Sequence, residues 1–155
     1  GITTDFAAAL FTVSAITMVL FMPVVGKLFD NIQTHYVLTI GLLINCISLL
    51  SITFSVNEYY ALIYAVFFGI NNAISMTMFG YIWPRYFGRK HLGSIQGTGQ
   101  MIGVIGASLG PLPVGFAIDF IGDPLITIRY LALYPFVISF FTILFLKHPS
   151  SLTKN

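Results

Sequence analysis

The chain has 155 residues, 57% of them hydrophobic and 8% charged, with a net charge of +2 and a mean hydropathy of +0.90. Soluble domains carry about a quarter charged residues, so this balance excludes a water-soluble enzyme or binding module and implies an integral membrane protein. Basic side chains scattered between apolar runs form no nucleic-acid face, and the single Cys46 excludes a disulfide frame or a cysteine-based metal site.

A helix needs about 20 apolar residues to cross a bilayer. Five runs qualify: residues 6–25, 36–56, 59–83, 92–120 and 126–146. The expected fold is therefore an all-α membrane bundle of five transmembrane helices. Thr3, Thr4 or Asp5 can cap the first run. No Lys or Arg precedes Lys27, so that run reads as a span and not as a cleaved leader. Pro84 is expected to end the third run, and Gly110-Pro111-Leu112-Pro113 to bend or break the fourth. The short connections make neighbouring helices antiparallel.

Lys27, Arg85, Arg89, Lys90, Lys147 and Lys154 then fall on one side and only Arg129 on the other. The positive-inside bias makes the first side cytoplasmic, with the C-terminus there, in a plasma or inner membrane. The chain lacks Met at position 1, and an outside start needs something upstream to carry it across. Both suggest a piece of a longer protein, with at least one helix preceding it.

Polar residues at depth carry the functional reading. On the first helix Ser14 and Thr17 share a face with Ala7, Met18 and Phe21, although Ser and Thr can satisfy themselves on their own backbone. The second and fifth helices carry Asn45, Ser48, Ser51, Ser139 and Thr142 and read as outer, lipid-facing supports. The third holds Asn71 and Asn72 near its midpoint. At about 100° per residue, Asn71 and Ser75 share a stripe with Tyr64 and Met78, opposite a small-residue stripe of Gly69, Ala73 and Gly80. Amides at this depth are costly. They mark either a water-filled site or interhelical hydrogen bonds.

The fourth helix is half small and polar. Gln96, Gln100, Gly103 and Ala107 form one stripe, with Gly99, Gly106 and Gly110 beside it and bulky Ile95, Ile102, Ile105 and Leu109 opposite. Two readings fit: a tight helix–helix seam, or a cavity wall that also slides against a partner. Asn71, Asn72, Ser75, Gln96, Gln100, Ser14 and Thr17 are thus the cavity candidates. Gly99, Gly103, Gly106 and Gly110 are the seam candidates. No Asp, Glu, Lys, Arg or His lies deep in any span, which argues against a proton relay within this piece. No zinc, serine-hydrolase or dinucleotide pattern survives inspection, so neither an enzyme, a metal nor a cofactor is expected.

Gly26, Leu28 and Asp30, in a short connection after the first span, resemble the Gly-x-Leu-x-Asp loop of the major facilitator superfamily. Asn31, Gln33, Thr34 and His35 depart from its basic half. Arg85 to Arg89, Leu92 to Gly97, Gly110-Pro111 and Gly115 to Gly122 resemble helices ten to eleven of that superfamily, with the flavour of its monocarboxylate and oxalate/formate branch. The resemblance implies helices eight to twelve of a twelve-helix transporter that moves a small solute, such as an organic anion, by alternating access. It implies that the first, third and fourth spans line the central cavity, that the second and fifth face lipid, and that the first and fourth meet a missing N-terminal half. Arg85, Arg89 and Lys90 would then sit at the cytoplasmic rim, where plain topology determinants are the simplest reading. A non-transporting membrane subunit is the alternative.

Overall fold

In the computed structural model, which describes residues 4–54 and 58–146, six α-helices follow one another: α1 (Thr4–Asn31), α2 (Thr34–Thr53), α3 (Glu58–Phe87), α4 (Leu92–Leu109), α5 (Pro111–Ile121) and α6 (Pro124–Phe145). They make five spans, because α4 and α5 together form one 30-residue stretch long and apolar enough to cross a bilayer. The chain is an all-α membrane protein. Lys27, Arg85, Arg89 and Lys90 lie at one end of the bundle with Asp30; Glu58, Asp119, Asp123 and Arg129 lie at the other. Lys147, Lys154 and the proposed capping side chains of Thr3, Thr4 and Asp5 lie outside the described residues.

Several helix ends differ from expectation. Gly26 to Asp30 is not a loop: α1 runs on through it to Asn31. Pro84 does not end α3, which continues to Phe87 and stops at Gly88, whose φ of 75° is the left-handed geometry a glycine supplies at a helix end. Proline inside a membrane helix is tolerated where neighbouring elements resatisfy the freed backbone, and Pro23 and Pro135 lie inside α1 and α6 likewise. The break in the fourth span falls at Gly110 as the sequence suggests. Gly110 keeps helical angles (φ −54°, ψ −43°) and its N–H still bonds Gly106 O at 2.8 Å. Pro111 and Pro113 then bring no N–H to the ladder. The α5–α6 turn is built from Gly122 at φ 76° and Asp123, whose carboxylate accepts from the N–H of Leu125 at 2.7 Å and caps α6.

Packing runs in the order α1, α3, α2, α6. The dry core lies toward the basic end, where Val25 and Phe29 of α1, Val37 of α2 and Ala73 and Ile74 of α3 are buried. Between α1 and α3 the backbones come close at Gly69. A Cβ there would stand 2.5 Å from Ser14 O and 2.8 Å from Thr17 Cβ. Gly41 of α2 makes a similar gap for Ile74, at 2.8 Å. Arg129 of α6 lies 5.5 Å over the Phe54 ring and ties α6 to the end of α2.

α2 packs between α3 and α6 and buries seven residues, while Tyr36, Ile40, Leu43, Ile47 and Leu50 leave one apolar stripe of it exposed, as a lipid-facing helix requires. α6 fits the lipid-facing reading, exposing Tyr134, Phe136, Phe140, Phe141 and Phe145. α4 and α5 bury nothing; α4 touches α3, and α5 touches α6.

Candidate functional site

The two stripes of α3 meet different neighbours. Its small residues Ala61, Ala65, Gly69 and Ala73 are buried, and Gly69 faces α1. Asn71 and Ser75 instead line a cavity of about 280 Å³ with Leu38, Gly41 and Asn45 of α2 and Ile138 and Thr142 of α6. Of the cavity candidates, Asn71 and Ser75 are therefore brought together, but with α2 and α6 and not with α1 and α4. The cavity runs from the middle of the helices toward the basic end. Asn45 and Asn71 sit near the midpoints of α2 and α3, while Thr142 lies near the end of α6.

Its polar inventory is selective. The Thr142 hydroxyl already donates to Ile138 O at 2.8 Å. No hydrogen bond among the described residues engages the Asn45 or Asn71 amides. Both side chains are half-buried, and a cavity of this size admits water or a small polar solute to bond them. Two amides offer donors and acceptors together, which suits hydroxyl, carbonyl or carboxylate groups. Asn45 and Thr142 stand out in the sequence as polar positions, but on helices expected to face lipid. Their spacing from one another was no guide, because they lie about a hundred residues apart.

Other candidates lie apart from this cavity. Ser14 and Thr17 are buried in the α1–α3 contact, and their hydroxyls donate to Phe11 O and Val13 O of their own helix, both at 2.8 Å. Ser14 also borders an apolar cavity of about 120 Å³ with Phe11, Tyr64 and Phe68. Asn72 and Gln96 are half-buried and Gln100 is exposed. Of the seam candidates, Gly99 packs against Trp83 so closely that a Cβ would overlap the indole ring. A Cβ on Gly103 or Gly106 would meet nothing within 4 Å, and one on Gly110 would meet only carbonyls of its own helix.

The motif residues at the basic end form a connected set. Phe29 O is among the last carbonyls of α1, which have no intrahelical donor. Tyr81 OH donates to it at 2.6 Å and Arg85 Nη1 at 2.9 Å, while Arg85 also donates to Tyr81 OH. Asp30 Oδ1 lies 3.4 Å from the same phenol. Tyr81, which the motif reading left out, is thus the link between Asp30 and Arg85. A guanidinium at a helix C-terminus also complements the helix dipole. Gly26 and Leu28 are half-buried parts of the helix so held, whereas Arg89 and Lys90 are exposed beyond Phe87. Among the described residues no three His, Cys, Asp or Glu side chains converge as a metal ion would need.

Neither the curated proteins nor the solved structures contain a match to this sequence. The family model of the Major Facilitator Superfamily matches residues 1–155. With five apolar helices and a cavity between three of them, the chain belongs to the major facilitator superfamily of membrane transporters.

Proposed function

We propose that this chain forms helices eight to twelve of a twelve-helix transporter that moves a small organic anion, such as a monocarboxylate, by alternating access against an N-terminal half. The observation that carries the proposal is the cavity of Asn45, Asn71, Ser75 and Thr142. Hydrogen-bonding groups without partners inside an apolar bundle are costly unless a solute or water uses them. Asn71 and Asn45 are assigned to binding, with Ser75 beside them. The bare stripe of Gln100, Gly103, Gly106 and Gly110 is assigned to the moving contact with the other half, with Gln96 beside it on α4. The lysine and arginine bias supports a cytoplasmic position for the basic end and the C-terminus.

Uptake of labelled carboxylates into liposomes bearing the full-length transporter tests this reading, with and without a pH gradient. Asn71→Leu and Asn45→Leu should each lose uptake while membrane insertion is retained. Wild-type uptake in both variants would remove the cavity from the transport path. The bare α4–α5 face also fits a non-transporting subunit that docks on a partner. That reading expects no solute movement with any carboxylate, and stable co-purification of the partner through Gly103 and Gly106.

A further inference from the structure

The basic end carries a second cavity that the transport reading does not use. Its volume is about 390 Å³, and Gly80, Tyr81, Pro84, Arg85 and Arg89 line it. Arg85 is half-buried in the last turn of α3. Its Nη1 is committed to two neutral acceptors, Phe29 O and Tyr81 OH, and its Nε is buried without a partner. Arg89 follows the end of α3 and is exposed. No ion pair engages either arginine among the described residues. Asp30, the one acid at this end, reaches the Tyr81 hydroxyl instead. A guanidinium held beside hydrocarbon, with Nη2 uncommitted and no direct ion pair among the described residues, favours an anion. Two of them around one opening match a phosphoryl group better than a single carboxylate.

The cavity is also shaped to admit more than an ion. A Cβ on Gly80 would meet nothing within 4 Å, so the wall below the arginines is open where a glycerol backbone would lie. Its place at the end of a membrane-spanning helix, with Lys27 and Lys90 at the same end, puts it at headgroup level, where positive side chains attract anionic lipid. We propose that the Gly80–Arg85–Arg89 cavity is a phosphoryl-binding site that holds the headgroup of an anionic phospholipid. The same chemistry could be met by free phosphate from solution, and the site does not depend on the solute the protein moves.

Native mass spectrometry of the detergent-purified full chain with equimolar phosphatidylglycerol and phosphatidylcholine, and separately with inorganic phosphate, tests the proposal. The wild type should retain phosphatidylglycerol preferentially. Arg89→Gln, an exposed substitution, should lower that retention about tenfold, the loss of one charge-assisted hydrogen bond to the phosphoryl group. Gly80→Leu should abolish it by filling the cavity with no change of charge. Lys27→Gln removes an equal charge from the same end and should leave retention unchanged. Absence of a phosphatidylglycerol preference in the wild type overturns the lipid site. Equal losses in Lys27→Gln and Arg89→Gln also overturn it, since they show a diffuse field and no built site. Binding of inorganic phosphate without any lipid preference overturns the lipid as the source.

Discussion

Two stretches of this chain are rich in small residues, and they end in opposite conditions. On α3, Ala61, Ala65, Gly69 and Ala73 are buried, and the backbone of α1 comes so near Gly69 that no side chain fits. On α4, Gly103 and Gly106 face open space, and the helix buries none of its residues. Lipid tails are as apolar as a leucine, so small residues associate helices through close approach and not by hiding from water. Composition alone marks both stretches as capable of that approach. Only the first has its partner within this chain. The α1–α3 contact is a fixed joint, whereas the α4 stripe is a prepared surface without an occupant among the described residues.

Substitutions at the two stripes separate them. Gly69→Leu should have the largest effect, destabilising the bundle by at least about 3 kcal/mol, the upper part of the overpacking range. Thermal unfolding in detergent reads it, and an unchanged midpoint would show that α1 and α3 part more easily than their spacing implies. Gly103→Leu should leave that midpoint in place yet stop uptake in the full-length transporter. Wild-type rates would mean that this face meets lipid. Gly99→Leu should fall between, displacing the Trp83 indole and shifting the emission of the sole tryptophan without unfolding the protein. The smallest effect is expected at Ser14→Ala. Its hydroxyl bonds only the Phe11 carbonyl of its own helix, so the loss should stay within about 1 kcal/mol by the same unfolding assay.

The five spans were legible because hydrophobic length and short polar connections leave few other solutions. The family was legible from Gly26, Leu28, Asp30 and the Arg85 to Gly122 motifs. Helix ends were less so. α1 outlasts its apolar run because Tyr81 and Arg85, more than fifty residues later, occupy the carbonyl of Phe29 near its end. No local signal near Gly26 announces that cap. Periodicity likewise sorted α3 into an amide stripe and a glycine stripe, but it states a direction on one helix and not the neighbour found there. Asn71 consequently faces α2 and α6, with Asn45 of α2 beside it. Side-chain choices local to α1 are legible: Ser14 and Thr17 bond their own backbone, as their chemistry favours.

The break at Gly110 has a consequence for where α4 and α5 sit. Because Pro111 and Pro113 contribute no N–H, the carbonyls of Ala107 and Leu109 lose the donors that an unbroken helix would give them. Left in hydrocarbon, each would cost several kcal/mol, a loss no lipid tail can relieve. Water can relieve it. A neighbouring element can do the same, but α4 and α5 bury none of their residues within this chain, so we propose that these two oxygens meet either water or the other half of the transporter.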